Sequence, residues 1–272
     1  MASGVPGYTV RDVAKLLALS PAQVRGWAGL VDAERGPRGE YRFSFQDLVL
    51  LRAAKHLAAG RVPKRRIRAA IRQLRDSLPE GRELSELEIG AEGERVVVHD
   101  GSKRWNPESG QLHFNFEVAE LARKAAPMAR RQAREARDRE GLTADDWYAV
   151  GCELEEPAPA EARGAYRRAL ELDPDHADAH VNLGRLLHEA GELDAAESHY
   201  RAAPEDPTAL FNLGVVLEDR GRLQEAREAY NAALRRDAGN ADAHYNAARL
   251  CERLGDRAAA LAHWNGYRRL TQ

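Results

Sequence analysis

At residues 8–51 the chain reads YTVRDVAKLLALSPAQVRGWAGLVDAERGPRGEYRFSFQDLVLL, and two short helical patterns meet there at a tight turn. Apolar residues recur at helical spacing over residues 10–17. Ser20-Pro21 then supplies an N-cap hydroxyl and a proline at the first position of a second helix, predicted over residues 22–30. Because the turn at residues 18–20 is so short, the second helix must project from the first, which predicts a helix-turn-helix.

The next stretch predicts a wing and two further helices. Residues 35–39 form a turn rich in glycine and arginine, and aromatic residues at 41 and 43 follow at strand spacing, which indicates a basic β-hairpin. A third helix is predicted from Phe45 to Gly60, its C-cap. The fourth begins at residues 63–66, with an apolar stripe beyond them and its cations on the solvent side.

Residues 8 to about 78 resemble the DNA-binding domain of the MerR family of bacterial transcription regulators. The matching features are Tyr8-Thr9-Val10, Val13 to Leu17, Ser20-Pro21, Val24-Arg25, Trp27, Gly39, Phe43, Asp47-Leu48 and Gly60. The sequence departs from the family at two positions. Gly26 stands where the family usually has an aromatic residue, and Tyr41 stands where the wing usually has arginine, with Arg42 one place later.

The resemblance implies double-stranded DNA as a partner and a set of contact residues. Gln23 and Arg25 should face the major groove, with Gln23 as the reader of a base, while the cations of the wing and the fourth helix should hold phosphates. The full predicted set is Thr9, Ser20, Gln23, Arg25, Trp27, Arg35, Arg38, Tyr41, Arg42, Lys64, Arg65 and Arg66.

The charge distribution agrees with a polyanionic partner at the amino end. Residues 1–80 contain 15 Lys and Arg against 7 Asp and Glu, whereas residues 140–272 contain 15 against 25. The net charge of −2 for the whole chain hides this asymmetry. A basic first third and an acidic last half favour two different partners.

The middle of the chain predicts a small sheet and a charged helix. Residues 87–89, 95–99 and 112–116 are β-prone, which predicts a three-stranded antiparallel sheet with Trp105 packed against it. Residues 117–140 predict a charged helix broken at Pro127. The MerR family usually dimerises through a long helix placed here, so a homodimer would need another surface.

Internal repeats occupy the second half of the chain. Asn182-Leu183-Gly184, Asn212-Leu213-Gly214 and Asn246-Ala247-Ala248 stand in the same context, each followed by glycine, alanine and an aromatic residue at fixed distances. The last two units are 34 residues apart, the tetratricopeptide period. Residues 143–272 therefore resemble a tetratricopeptide repeat array with three clear units and one degenerate unit.

The resemblance to tetratricopeptide arrays implies a partner site on the concave face, which the first helix of each pair lines. The predicted groove residues combine aromatic, aliphatic and arginine side chains, which suit an extended peptide or a partner helix. They are Tyr148, Val181, Arg185, Phe211, Val215, Tyr245 and Arg249.

The predicted fold is thus mainly α, with a winged helix-turn-helix over residues 1–80, a small sheet over 81–117, a charged helical linker over 118–142 and a tetratricopeptide solenoid over 143–272. The sequence shows no catalytic motif and no phosphate loop, so we expect neither enzymatic activity nor a cofactor. The two cysteines lie far apart and indicate neither a disulfide scaffold nor a zinc site.

His176 and His180 lie one helical turn apart, but without a third ligand they predict core or surface histidines rather than a metal site. No stretch is long and apolar enough to span a membrane, so a cytoplasmic location is expected. Two functions remain open. The first is a DNA-binding transcription regulator whose repeats recruit a protein, and the second is an interaction scaffold in which the winged domain no longer binds DNA.

Overall fold

The computed structural model describes residues 7–31, 33–36, 39–59, 62–77, 87–92, 95–100, 103–105, 116–139 and 141–271. The chain divides into two compact units. The first comprises residues 1–142 and 149–162, and the second comprises residues 143–148 and 163–272. The finer boundaries expected at residues 80, 117 and 142 stay predictions.

The amino-terminal part of the first unit contains the predicted winged helix-turn-helix. Its helices are α1 (Val10–Leu17), α2 (Pro21–Trp27), α3 (Phe45–Ala59) and α4 (Lys64–Ser77), and its strands are β1 (Tyr8–Thr9), β2 (Glu34–Arg35) and β3 (Tyr41–Phe43). The strands form an antiparallel sheet in the order β1-β3-β2. The second helix ends in a single 3₁₀ turn over Ala28–Leu30.

A single apolar core holds these elements together. Val13, Val24, Phe43, Leu48 and Ile71 come from five different elements and are each 0% exposed. Truncation of one such side chain to alanine typically costs about 2–5 kcal/mol. The helix-turn-helix is therefore fixed by burial as well as by its local turn.

The middle sheet has more strands than the sequence predicted. It consists of β4 (Leu87–Glu92), β5 (Arg95–Asp100), β6 (Lys103–Trp105) and β7 (Phe116–Glu117), in the order β6-β5-β4-β7. All neighbours are antiparallel. Trp105 belongs to strand β6, where it pairs with Val98, so it is part of the sheet itself. Residues 112–115 of the predicted third strand lie outside the described residues.

The charged helix α5 (Val118–Arg137) is continuous through Pro127, so the prediction of a broken helix was wrong. Buried Ala125 and Ala129 flank the proline, and their packing holds the helix where one backbone hydrogen bond is missing. Leu121 and Ala125 join the core of the helix-turn-helix. The apolar stripe of α5 is therefore occupied by its own chain.

Four helix pairs follow, as the repeat pattern predicted. They are α6 (Ala144–Leu154) with α7 (Pro159–Leu172), α8 (Ala177–Glu189) with α9 (Leu193–Ala202), α10 (Pro207–Asp219) with α11 (Leu223–Arg236), and α12 (Ala241–Arg253) with α13 (Arg257–Thr271). Gly191, Gly221 and Gly255 turn the chain between the paired helices, each at a positive φ of 73–78°. Of the helices in the described part of the chain, none has the length and apolar character required to cross a membrane.

Candidate nucleic-acid interface

Reciprocal caps position the two helices of the helix-turn-helix. The Thr9 hydroxyl accepts from the Asp12 N–H at 3.3 Å, and the Asp12 carboxylate accepts from the Thr9 N–H at 3.0 Å. Ala18 ends α1 in the left-handed conformation at φ 49°. Lys55 of α3 donates to the Leu17 carbonyl at 2.7 Å, which satisfies an acceptor at the end of α1. Hydrogen bonds therefore hold both the start and the end of α1.

The second helix, α2, buries one face and presents the other to solvent. Val24 and Ala28 are buried in the core, whereas Gln23, Arg25 and Gly26 are exposed. This is the division that an exposed recognition helix requires. An exposed glutamine and arginine can in principle contact base edges and phosphates of a duplex.

Gln23 has a local role that the sequence reading did not assign to it. Its side-chain oxygen accepts from the Ser20 N–H at 2.9 Å, while the Ser20 hydroxyl accepts from the Gln23 N–H at 3.2 Å. These two bonds form a capping box at the start of α2. While the cap is intact, the amide NH₂ of Gln23 and the second lone pair of its oxygen remain for a base.

The wing is a hairpin of β2 and β3 whose arginines bond within the wing. Arg35 donates to the Gly39 carbonyl and to the Tyr41 hydroxyl, both at 2.8 Å, and its guanidinium lies 4.3 Å from the centre of the Tyr41 ring. Arg42 donates to the Glu40 carboxylate at 2.9 Å. Arg38, the third predicted wing cation, lies outside the described residues.

The first turn of α4 carries three consecutive exposed cations, Lys64, Arg65 and Arg66. The helix dipole makes this end of a helix unfavourable for positive charge, by roughly 0.3–1 kcal/mol per residue. No acidic residue stands in that turn. Three cations at this position weaken the helix and attract an external anion such as a phosphate.

Some of the predicted DNA-contact residues have a role in the fold rather than an exposed side chain that is available for DNA. Thr9 and Ser20 act as helix caps, and Trp27 packs partly buried against the core. Sequence reasoning missed Arg68 and Arg72, which are exposed and continue the cationic face of α4 from Arg65. Their spacing of three and four residues is the signal that would have found them.

The predicted groove residues lie on the first helices of their pairs, but they differ in accessibility. Val181 is 9% exposed and leaves little surface for a partner. Arg185 bonds Glu189 at 2.6 Å, one turn along the same helix. Tyr245 and Arg249 are exposed and in contact, with the guanidinium 5.7 Å from the ring centre.

Aromatic contacts cover part of the remaining groove residues. The ring of Tyr148 packs against those of Tyr166 and His176, with centroids at 5.7 and 5.0 Å. The ring of Phe211 lies 5.8 Å from that of Tyr230. Val215 is partly buried. The exposed surface of the predicted groove is therefore concentrated on α12.

Two family models match separate parts of the chain. Residues 8–74 match the family described as MerR HTH family regulatory protein. Residues 159–209, 200–241 and 211–271 match the tetratricopeptide repeat. The chain thus joins a MerR-family helix-turn-helix domain to tetratricopeptide repeats, and the recognition made from the sequence is confirmed.

One similar protein is tetratricopeptide repeat protein 8 of Caenorhabditis elegans, which is 33% identical over 88 residues. The match covers 32% of this chain and 15% of that protein, so the chain spans a small part of the relative's length.

Several solved structures are similar to part of the chain. The crystal structure of MamA is 17% identical, covers 58% of this chain and 96% of its own, and has a TM-score of 0.48. MamA from Desulfovibrio magneticus is 20% identical, with 56% and 94% covered and a TM-score of 0.45. The Pseudomonas aeruginosa pilF structure is 22% identical, with 56% and 74% covered and a TM-score of 0.47.

Proposed function

We propose that this chain, in which a MerR-family helix-turn-helix domain precedes tetratricopeptide repeats, is a non-enzymatic transcription regulator that binds double-stranded DNA and recruits a protein partner. The observation that carries the proposal is the first turn of α4, where Lys64, Arg65 and Arg66 are exposed against the preference of the helix dipole. Phosphates placed at this turn would relieve that unfavourable charge.

The exposed face of α2 supports the same proposal. Arg25 and the amide of Gln23 point away from the buried Val24 and stand where a major groove would be read. The excess of basic residues over residues 1–80 adds a long-range attraction to a polyanion. Phosphate contacts would then fix the register, and α2 would supply sequence preference.

The repeats are the proposed recruiting surface. The exposed pair Tyr245 and Arg249 offers a flat ring and a guanidinium, and tyrosine and arginine are both enriched at binding hot spots. We propose that a peptide or helix of the partner docks along the first helices of the pairs and contacts this exposed pair. Action in the cytoplasm is part of the proposal.

One observation favours the alternative, an interaction scaffold without DNA binding. Arg35 and Arg42 of the wing already bond Tyr41 and Glu40, and Gln23 already bonds Ser20. Reading DNA would require these side chains to exchange partners. In the scaffold the winged domain would serve as a docking module.

Fluorescence anisotropy of the full chain with a labelled random-sequence duplex, at two salt concentrations, distinguishes the two functions. A DNA-binding regulator should bind at low salt and lose affinity steeply as salt rises, because bound cations release counterions from the duplex. Selection of bound fragments from a random pool should then give a common sequence. No binding at low salt would leave the scaffold as the function.

A further inference from the structure

Two pairs of histidines occupy the same positions in two different repeats. In the pair α8–α9, Nδ1 of His180 lies 2.9 Å from Nδ1 of His199. In the pair α12–α13, Nδ1 of His244 lies 3.3 Å from Nδ1 of His263. Each first histidine is the fourth residue of its helix, and its partner follows 19 residues later. The arrangement is therefore a property of the repeat.

Packing between paired helices does not require imidazoles at these positions. The repeat between them, α10–α11, has Leu210 and Ala229 at the two equivalent sites. Both are buried, at 9% and 6% exposed. An aliphatic pair thus fills the same space, so packing alone does not explain why the other two repeats have histidines at these positions.

Backbone carbonyls hold the inner ring of each pair with Nδ1 facing its partner. Nε2 of His180 lies 2.9 Å from the carbonyl oxygen of Pro174, which can only accept, so Nε2 carries the proton and Nδ1 accepts a hydrogen bond from Nδ1–H of His199. A metal ion takes the place of that proton when the proton of His199 moves to its own Nε2, which leaves both Nδ1 lone pairs for the ion. The His244 ring likewise hydrogen-bonds the backbone of Ala238. A histidine whose other N–H is held by a carbonyl is the usual form of a metal ligand.

Gly266 provides the space in which the ring of His244 lies. A Cβ atom at position 266 would come within 2.5 Å of the His244 Cε1 atom. Because the adjacent residue accommodates the imidazole so closely, its orientation toward His263 is built into the helix pair.

We propose that each histidine pair is a site for a divalent metal ion of the zinc or nickel type, bound between the two Nδ1 atoms with water completing its coordination. Two zinc–nitrogen bonds of about 2.0–2.1 Å at a tetrahedral angle place the nitrogens about 3.3 Å apart. Bonds of similar length at a right angle, as in an octahedral site, place them about 2.9 Å apart. The observed separations, 3.3 and 2.9 Å, are those of a hydrogen bond between the two rings, and they equal the separations that these two geometries require, so an ion can replace the proton between the rings.

Metal binding requires both imidazoles of a pair to be neutral, with each Nδ1 lone pair directed at the ion. Within the described part of the chain no group of three or more histidine, cysteine or acidic ligands occurs, so the protein supplies two ligands to each ion.

Isothermal titration of the full chain with zinc chloride, and separately with nickel chloride, tests the proposal in a buffer that does not chelate metals. Two ions should bind per chain. The double substitution His180→Leu with His199→Ala installs the aliphatic pair of the middle repeat and should leave one site, as should the equivalent change at His244 and His263. Both changes together should leave none.

His188→Asn is the matched control, since it removes a histidine that bonds Asp219 rather than another histidine of the described residues. It should retain two sites. Conversely, Leu210→His with Ala229→His should create a third. Circular dichroism confirms that each variant is folded. The proposal is overturned if the wild-type chain binds neither ion, or if the stoichiometry stays unchanged when both pairs are removed.

Discussion

The carboxylate of Glu153 in α6 accepts a hydrogen bond of 3.0 Å from the backbone N–H of Phe45, the first residue of α3. The first N–H groups of a helix have no partner within it, so the carboxylate takes a place that the helix dipole favours. Burial nevertheless raises the pKa of Glu153 to about 7, more than this bond lowers it, and Asp47 and Glu34 add to the effect. Burial also raises the pKa of Asp47, to about 6.

These shifts predict how stability depends on pH. The folded-state pKa of Glu153 lies above its ordinary value of 4.5, so its contribution is complete below pH 4.5 and is lost as the pH rises through about 7. Glu153→Gln keeps an oxygen that can accept from Phe45 but removes the charge. The variant should equal the wild type near pH 4 and be more stable at pH 8 by about 1–2 kcal/mol, a value reduced for the partial exposure of the side chain.

Urea unfolding of both proteins at the two pH values measures this difference. Glu135→Gln, in an exposed part of α5, is the control and should change stability by less than about 0.5 kcal/mol at either pH. A Glu153→Gln variant destabilised equally at pH 4 and pH 8 would mean that the hydrogen bond matters and the burial of charge does not.

Gln23→Glu separates the capping role of residue 23 from its proposed role at DNA. Glutamate still accepts from the Ser20 N–H and suits the start of a helix, so stability should be unchanged or rise by up to about 1 kcal/mol. The amide donor is lost and a negative charge faces the duplex, so DNA affinity should fall. Equal DNA affinity of variant and wild type would remove residue 23 from the interface.

Alanine at Lys64, Arg65 and Arg66 should affect binding and stability in opposite directions. Each lost phosphate contact should reduce the slope of log affinity against log salt by roughly 0.9. Stability should rise by roughly 0.3–1 kcal/mol for each of Lys64 and Arg65, since cations at this helix end are unfavourable. Arg268→Ala with Arg269→Ala, in the repeats, is the control and should leave the slope unchanged. An unchanged slope in the α4 variant would place the phosphates elsewhere.

Gly184→Ala should destabilise the repeats. A Cβ atom there would lie 2.6 Å from Cε1 of Tyr200, and this overpacking should cost about 1–3 kcal/mol. Gly26→Ala is the matched substitution in a helix with no atom within 4 Å, and it should stabilise by about 0.5–1 kcal/mol. Thermal unfolding of both variants measures whether each substitution stabilises or destabilises the protein. A stabilising Gly184→Ala would show that the Tyr200 ring moves aside at little cost.

Glu197→Ala should destabilise the repeats more than the same substitution of an exposed acidic residue. Glu197 is 4% exposed and bonds Arg220 and Arg222 at 2.6 Å each, as well as Arg201. Its loss should cost about 3 kcal/mol, at the low end for a buried ion pair because the arginines stay partly hydrated. Glu192→Ala removes an exposed pair with Arg163 and should cost less than about 1 kcal/mol. Chemical denaturation measures the free energy of unfolding of both variants. Equal losses would contradict the view that burial makes the ion pairs of Glu197 more important.

The local features of this chain followed from its sequence. Ser20-Pro21 located the start of α2, and the glycine, alanine and aromatic spacing of the repeats located the helix pairs. Such signals depend on residues three to seven positions apart, whose interactions are settled by backbone geometry and by side-chain periodicity. The helix-turn-helix and the repeats could therefore be recognised without coordinates.

Tertiary packing decided the contacts that hold the helix-turn-helix and its wing in place. Burial of Leu121 holds α5 against its own helix-turn-helix despite Pro127, and the bond from Glu153 to Phe45 joins residues 108 positions apart. The ring of Tyr41 meets Arg35 only because β2 and β3 pair in that register. No sequence period encodes such contacts, because they depend on how whole elements pack against one another. Packing decides which polar groups are buried, and each buried polar group then needs a hydrogen-bond partner.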